Sequence, residues 1–109
     1  ESLRADSPVS IDYTPTFVDG IGSPYVEPAM WDLSSNLLAG SLEVTLSEVA
    51  AAVRLLVSSN GIVAEGAGAS SVAAGLSGGA NRDKIVCVVS GGNLDPSKLA
   101  TILAGGVPR

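Results

Sequence analysis

From residue 46 onward the apolar positions recur at three- and four-residue spacing. Leu46, Val49, Ala50, Val53, Leu56 and Val57 fall on one face of a helix. Thr45 and Glu48 stand where a capping box needs them, the threonine oxygen accepting from the N3 amide and the glutamate reaching back to the cap. The spacing predicts a helix to about Ser59, with Asn60-Gly61 as a left-handed stop. Leu42-Glu43-Val44 before it and Ile62-Val63-Ala64 after it read as short strands. Gly66-Ala67-Gly68-Ala69 opens a second helix, carried by Val72, Ala73, Ala74 and Leu76 and stopped by Gly78-Gly79. Its small first residues suit close approach of a neighbouring backbone. Asn81-Arg82-Asp83-Lys84 reads as a polar turn. Ile85-Val86-Cys87-Val88-Val89 is continuously apolar, the pattern of a parallel strand covered on both faces. Asp95-Pro96 then gives an N-cap and an N1 proline, and the last helix runs to about Leu103, ending at Gly105-Gly106.

Residues 1–40 follow no such rhythm. Pro8, Pro15, Pro24 and Pro28 are spread through them, with Gly20, Gly22 and Gly40 as turn points, and only Val9–Tyr13 alternates in the manner of a short strand. A loop this long is unusual in a compact domain and is expected to cross a partner surface or line a site. The chain thus divides into an irregular segment, 1–40, and a strand/helix alternation, 41–109. That alternation means α/β architecture. A strand covered on both faces needs more layers than three short helices supply, so the sheet is expected to be incomplete on its own. The chain starts at Glu1 and carries its single Met at Met30. It is therefore read as an internal or C-terminal piece of a longer product, or as one chain of a split protein.

Composition agrees with a missing partner. Mean hydropathy is +0.40, and 46% of the residues are hydrophobic against 16% charged. No run approaches the ~18 to 20 apolar residues of a membrane span. The excess apolar surface is instead expected to meet another polypeptide. The net charge is -5 with six scattered bases, which argues against nucleic acid as a partner. There is no His, the commonest general base and metal ligand. The one cysteine, Cys87, lies in the apolar run, reads as a small buried hydrophobe, and points to a reducing, cytoplasmic setting.

The candidate chemistry centres on Ser90-Gly91-Gly92-Asn93, which follows the Ile85–Val89 run and precedes a Pro-started helix. Open sheets bind ligands at the carboxyl ends of their strands. From the residues alone, Ser90 offers a hydroxyl to a ligand or caps the turn. Gly91 and Gly92 allow close backbone approach or serve turn geometry, and Asn93 reads as a turn residue satisfying local backbone groups. Glu65 ends the second apolar run and faces two readings, a ligand neighbour or an acid favoured by the helix dipole. The amides at Gly66–Gly68 are a possible anion site.

Three segments together resemble one family. They are Thr14-Pro15-Thr16-Phe17-Val18-Asp19-Gly20, Ile62-Val63-Ala64-Glu65-Gly66-Ala67-Gly68-Ala69, and Lys84 through Asp95. In this order and spacing they are similar to the threonine and serine dehydratases, the fold-type-II pyridoxal 5'-phosphate enzymes. The resemblance implies a three-layer, open, mostly parallel sheet, of which residues 1–109 are the C-terminal portion of the cofactor domain. It implies that Ser90 bonds the pyridine nitrogen and leaves it unprotonated, which suits prompt loss of a β-hydroxyl. Gly91, Gly92, Glu65, Gly66 and Asn93 are then the other cofactor-binding candidates, and Asp19-Gly20 a structural turn near the site. It also implies a lyase converting threonine or serine to a 2-oxo acid and ammonia. A racemase, a β-replacement enzyme or a non-catalytic subunit of this shape are the alternatives.

The family's Schiff-base lysine, cofactor asparagine, phosphate-binding glycine loop and acidic metal site have no counterpart here. Lys84, at a strand start, and Lys98, expected on the solvent face of the last helix, do not match that lysine. No catalytic residue or metal ligand is assigned to this chain. The partner implied is the N-terminal portion of the same enzyme, carrying the lysine, in an assembly that is itself a homo-oligomer. Glu27-Pro28-Ala29-Met30-Trp31-Asp32 departs from the family loop, with Trp31 expected against the partner or the mouth of the site.

Overall fold

The computed structural model describes residues 1–80 and 84–109. The chain forms two compact units: Glu1–Thr14 with Gly22–Ser41, and Pro15–Ile21 with Leu42–Arg109. The turn expected at 81–83 lies outside the described residues.

The first unit contains α1 (Ser2–Ala5) and α2 (Pro28–Ser34). Both fall in the stretch read as irregular. Pro28 starts α2 because its fixed φ suits a first helical turn and its missing N–H has no helical partner to lose. The alternating residues Val9–Tyr13 form no ladder, and Ile11 N–H makes a single backbone bond to Pro24 O at 2.8 Å. Leu3, Val9, Ile11, Tyr25, Trp31 and Leu38 line an apolar cavity of about 320 Å³ within this unit.

The second unit is built on α3 (Leu46–Asn60), α4 (Gly66–Leu76) and α5 (Pro96–Leu103), with one 3-10 turn at Asp19–Ile21. The capping box opens α3 as its sequence requires. Thr45 Oγ1 accepts from Glu48 N–H at 3.2 Å, and Glu48 Oε2 accepts from Thr45 N–H at 2.6 Å. Gly61 ends the helix at φ 65°, in the left-handed region. Asp95 Oδ1 accepts from Ser97 N–H at 2.7 Å and Lys98 N–H at 3.4 Å, capping α5 ahead of Pro96. Val49, Ala50, Ala52, Val53 and Leu56 bury one face of α3. They join Ala69 and Ala73 of α4, Ile102 of α5, Ala64, and Phe17 from the segment 15–21 in a single core. Burying Val and Leu side chains of this kind contributes about 1.5–3 kcal/mol each. Arg54 crosses from α3 and donates to Ile102 O at 2.6 Å, which satisfies a carbonyl at the end of α5.

The segments expected to be strands behave otherwise. Among the described residues there is no β-strand; residues 42–44, 62–65 and 85–89 are non-helical and form no ladder. Two of them do lie side by side at their ends, where Glu65 N–H bonds Gly91 O at 3.0 Å. A third element covers one side of the last segment. Ser71 Oγ donates to Val88 O at 2.8 Å, the Cys87 thiol donates to Ser71 O at 3.3 Å, and a Cβ on Gly75 would sit 3.0 Å from Cys87 Sγ. The other side is open: Val86 is 91% exposed and Val88 70%. Within this chain the run is covered on one face, by α4, with Cys87 half-buried beneath it. The reason is physical. A ladder needs extended backbone on both edges and layers on both faces, and α4 supplies one layer.

Candidate functional site

The turn after residue 89 is placed by backbone contacts that exist because side chains are absent. A Cβ on Gly68 would lie 2.8 Å from Gly91 O and 3.1 Å from Gly91 N, so α4 and the turn meet backbone to backbone. A Cβ on Gly92 would lie 2.7 Å from Val63 O, and one on Gly91 would lie 2.5 Å from Glu65 Oε1. The pairing of α4's small-residue start with this particular turn could not be read from the chain, because the two are far apart in sequence.

Glu65 is the N-cap residue of α4, but its side chain does not cap that helix. It turns toward the other segment, where Oε2 accepts from Asn93 N–H at 3.1 Å. Its Oε1 also lies beside Gly20, whose Cβ would come within 3.2 Å. Asn93 thus contributes its backbone N–H to the site, and Leu94 N–H closes the turn onto Gly92 O at 2.9 Å. Ser90 is exposed, and its hydroxyl makes no hydrogen bond to another described residue.

Gly66 has a different neighbourhood from the one expected beside a ring. The space a Cβ would need is filled by Phe17 O at 2.7 Å and Val18 Cα at 3.0 Å. Gly66 makes room for the segment 15–21. With Gly68 packed on Gly91, the first turn of α4 is closed by the chain's own atoms.

A cavity of about 340 Å³ opens next to the turn, lined by Phe17, Asp19, Glu65, Asn93, Leu94, Asp95, Pro96 and Lys98. Lys98 is half-buried on this cavity, which corrects the expectation of a solvent-facing position. The residues 95–98 turn back toward Glu65 once the helix starts, an orientation that no local pattern encodes. Asp19 joins the cavity because the 3-10 turn carries it there. Hydrogen bonds from the Ser97 hydroxyl and the Ser97 and Lys98 amides, with the nearby Lys98 charge, hold the Asp95 carboxyl below its usual range. Lys84 is exposed outside this group. No group of three or more His, Cys, Asp or Glu suited to a metal occurs among the described residues. None of their helices is long and apolar enough to cross a membrane.

Comparison with known proteins gives the family. Residues 1–91 match the family described as pyridoxal-phosphate dependent enzyme. The chain belongs to that family. It is 35% identical over 103 residues to the biosynthetic L-threonine dehydratase of Lactococcus lactis subsp. lactis, covering 93% of this chain and 25% of that protein. It is 32% identical over 109 residues to the L-threonine ammonia-lyase of Thermotoga maritima, covering 99% of this chain and 27% of that protein. The chain spans about a quarter of the length of these curated relatives. The family's architecture is α/β, and its enzymes depend on pyridoxal phosphate.

The described residues fit one end of that cofactor. A pyridine nitrogen needs one hydrogen-bonding group, and Ser90 presents an exposed hydroxyl with no competing partner among the described residues. The space beside the adjoining glycines is taken by the Glu65 carboxylate and Val63 O. The first turn of α4, whose amides were the candidate anion site, is packed against Phe17 and Gly91.

Proposed function

We propose that this chain is the C-terminal portion of the cofactor domain of a pyridoxal-phosphate-dependent lyase, and that it contributes the pyridine end of the site. The substrate is a β-hydroxy amino acid of the threonine or serine type, and the products are a 2-oxo acid and ammonia. The observation that carries this reading is the free hydroxyl of Ser90 on a glycine turn held against Glu65. Membership of the family and the names of the two relatives support it.

Ser90 would donate its hydroxyl hydrogen to the ring nitrogen and so orient that edge of the ring. Because a hydroxyl carries no charge to stabilise a pyridinium, as a carboxylate partner would, the nitrogen stays neutral. When bound, pyridoxal phosphate supplies the electron sink that makes the α-proton of an amino acid removable. A neutral ring is the weaker sink, which favours prompt expulsion of a β-hydroxyl over a long-lived carbanion. Gly91 and Gly92 let the turn pack onto Glu65 and Val63, which holds Ser90 at the ring edge, and Gly66 lets the start of α4 pack on Phe17 and Val18. The lysine that holds the cofactor and the groups that bind its phosphate come from the remaining part of the enzyme, which docks on this chain. The exposed Val86 and Val88 support that partnership. The assembled enzyme is a cytoplasmic homo-oligomer in this reading.

The test uses the assembled protein containing this chain. Incubated with L-threonine or L-serine, it should release a 2-oxo acid and ammonia in equal amounts. Ser90→Ala should weaken pyridoxal phosphate binding by about tenfold, the scale of one hydrogen bond to a ligand. Racemised amino acid or a β-substituted product without any 2-oxo acid would overturn the lyase assignment. Unchanged cofactor affinity in Ser90→Ala would overturn the role of the turn.

A further inference from the structure

We infer that Glu65 is a positioning residue that holds the Ser90 turn by its reach, and that its charge on the cofactor is not what the site requires. The inference rests on the reading of the turn given above. Two bonds from this one residue span the arc that follows Ser90. Glu65 N–H bonds Gly91 O at 3.0 Å, and Glu65 Oε2 accepts from Asn93 N–H at 3.1 Å. Gly92, between them, rests on the backbone of Val63, the residue two before Glu65. The arc is therefore fastened to a single segment, 63–65, at three consecutive positions.

The other carboxylate oxygen is flanked by two glycines at the edge of the cavity that Glu65 helps to line. Oε1 lies 2.5 Å from where a Gly91 Cβ would stand and 3.2 Å from where a Gly20 Cβ would stand. Two backbones have given up their side chains to let this carboxylate sit between them. An acid placed as a strut needs the right length, an acceptor atom at its end, and glycines beside it, and this is what the unit contains. The side chain makes no bond to the first amides of α4, so it does not serve as that helix's hydrogen-bonding cap.

Length and charge can be separated by two mild substitutions. Glu65→Gln keeps the reach and an acceptor oxygen but loses the charge. Glu65→Asp keeps the charge but is one methylene short of Asn93. Backbone amide exchange is measured on the assembled protein with the cofactor removed, and pyridoxal phosphate affinity and visible absorbance are measured on reconstitution. In Glu65→Asp the Asn93 amide should exchange about tenfold faster and cofactor affinity should fall by a similar factor, the effect of losing one charge-assisted bond. In Glu65→Gln both should stay within about threefold of the parent, because an amide oxygen still accepts. Exchange within Val49–Leu56 should be unchanged in both, which separates a loosened turn from a general loss of structure. The opposite ranking, with Glu65→Asp sound and Glu65→Gln impaired, would show that charge is what matters and would overturn the inference. So would an Asn93 amide indifferent to either change. A turn loosened in Glu65→Asp with cofactor affinity intact would leave the strut standing and instead refute the cofactor reading of the Ser90 turn.

Discussion

Gly68 and Gly91 show what a single hydrogen in place of a side chain does here. The Cβ of Gly68→Ala would stand 2.8 Å from Gly91 O and 3.1 Å from Gly91 N, both backbone atoms that cannot swing aside. The turn must shift as a whole. We expect Gly68→Ala to cost about 1–3 kcal/mol, the range for overpacking, and to weaken pyridoxal phosphate binding because Ser90 moves with the turn. Calorimetric unfolding and cofactor titration check the two effects. Gly61→Ala makes the contrast. It meets open space, so its cost of about 1 kcal/mol comes only from φ 65°. The sequence already marked Gly66–Gly68 as a place of close backbone approach, since clustered small residues at a helix start have few other uses. It did not say which backbone approaches. Gly68 meets Gly91, Gly66 meets Phe17, and Glu65 reaches Asn93, all pairings between segments that no spacing rule connects. Lys98 was misplaced for the same reason, because its helical phase shows that it has a face but not what that face looks upon.

At the scale of elements, α3, α4 and α5 were legible, whereas the short α1 and α2 lie in a stretch read as irregular and the strands have no ladder. Between the long helices and the strands the difference lies in where each keeps its hydrogen bonds. A helix satisfies its own backbone, and its ends are marked by side chains within four residues. Thr45, Glu48 and Gly61 bound α3, and Asp95 and Pro96 open α5, each in the place its local pattern names. A strand's partners lie elsewhere in the chain or outside it, so Ile85–Val89 has strand composition without a ladder. The caps also make α3 and α5 sensitive to acid. The Thr45 amide and hydroxyl bonds lower the Glu48 carboxyl, and the Ser97 hydroxyl and amide bonds lower Asp95. Both carboxyls are more acidic in the folded than in the unfolded chain. Their contribution is fully present above the unfolded values, about 4 for either residue type, and is lost as pH falls through the lower folded values. Thr45→Ala should cost about 1 kcal/mol near neutral pH, as loss of an N-cap does. It should also flatten the fall in stability below pH about 4 in part, because Glu48 keeps the stronger bond from the residue 45 amide and loses only the Thr45 hydroxyl. Helix content followed by circular dichroism across an acid titration tests this. An acid limb as steep in Thr45→Ala as in the parent would show that the cap does not carry the pH dependence.

For the whole molecule the informative quantity is the apolar surface left uncovered. Val86 and Val88 point away from α4, and Ile62 and Val63 in the neighbouring segment are also exposed. Backbone in the same stretch forms no ladder among the described residues. Continuous apolar side chains and unpaired strand backbone in one place are the two properties an added strand would use. The excess hydropathy seen in the composition thus has a location. This separates stability from assembly at the same two positions. Substituting Val86→Glu and Val88→Glu removes no buried contact, so together they should shift the stability of the chain by no more than about 1 kcal/mol. Assembly should respond very differently. A strand packing on this edge would have to bury two carboxylates without partners, which costs several kcal/mol per ion. The double variant should therefore fold as the parent does, by circular dichroism and thermal melting, yet fail to co-purify with the proposed partner polypeptide. Co-purification undiminished by the two glutamates would place the missing strand elsewhere, and would remove this edge as the reason the chain is so apolar.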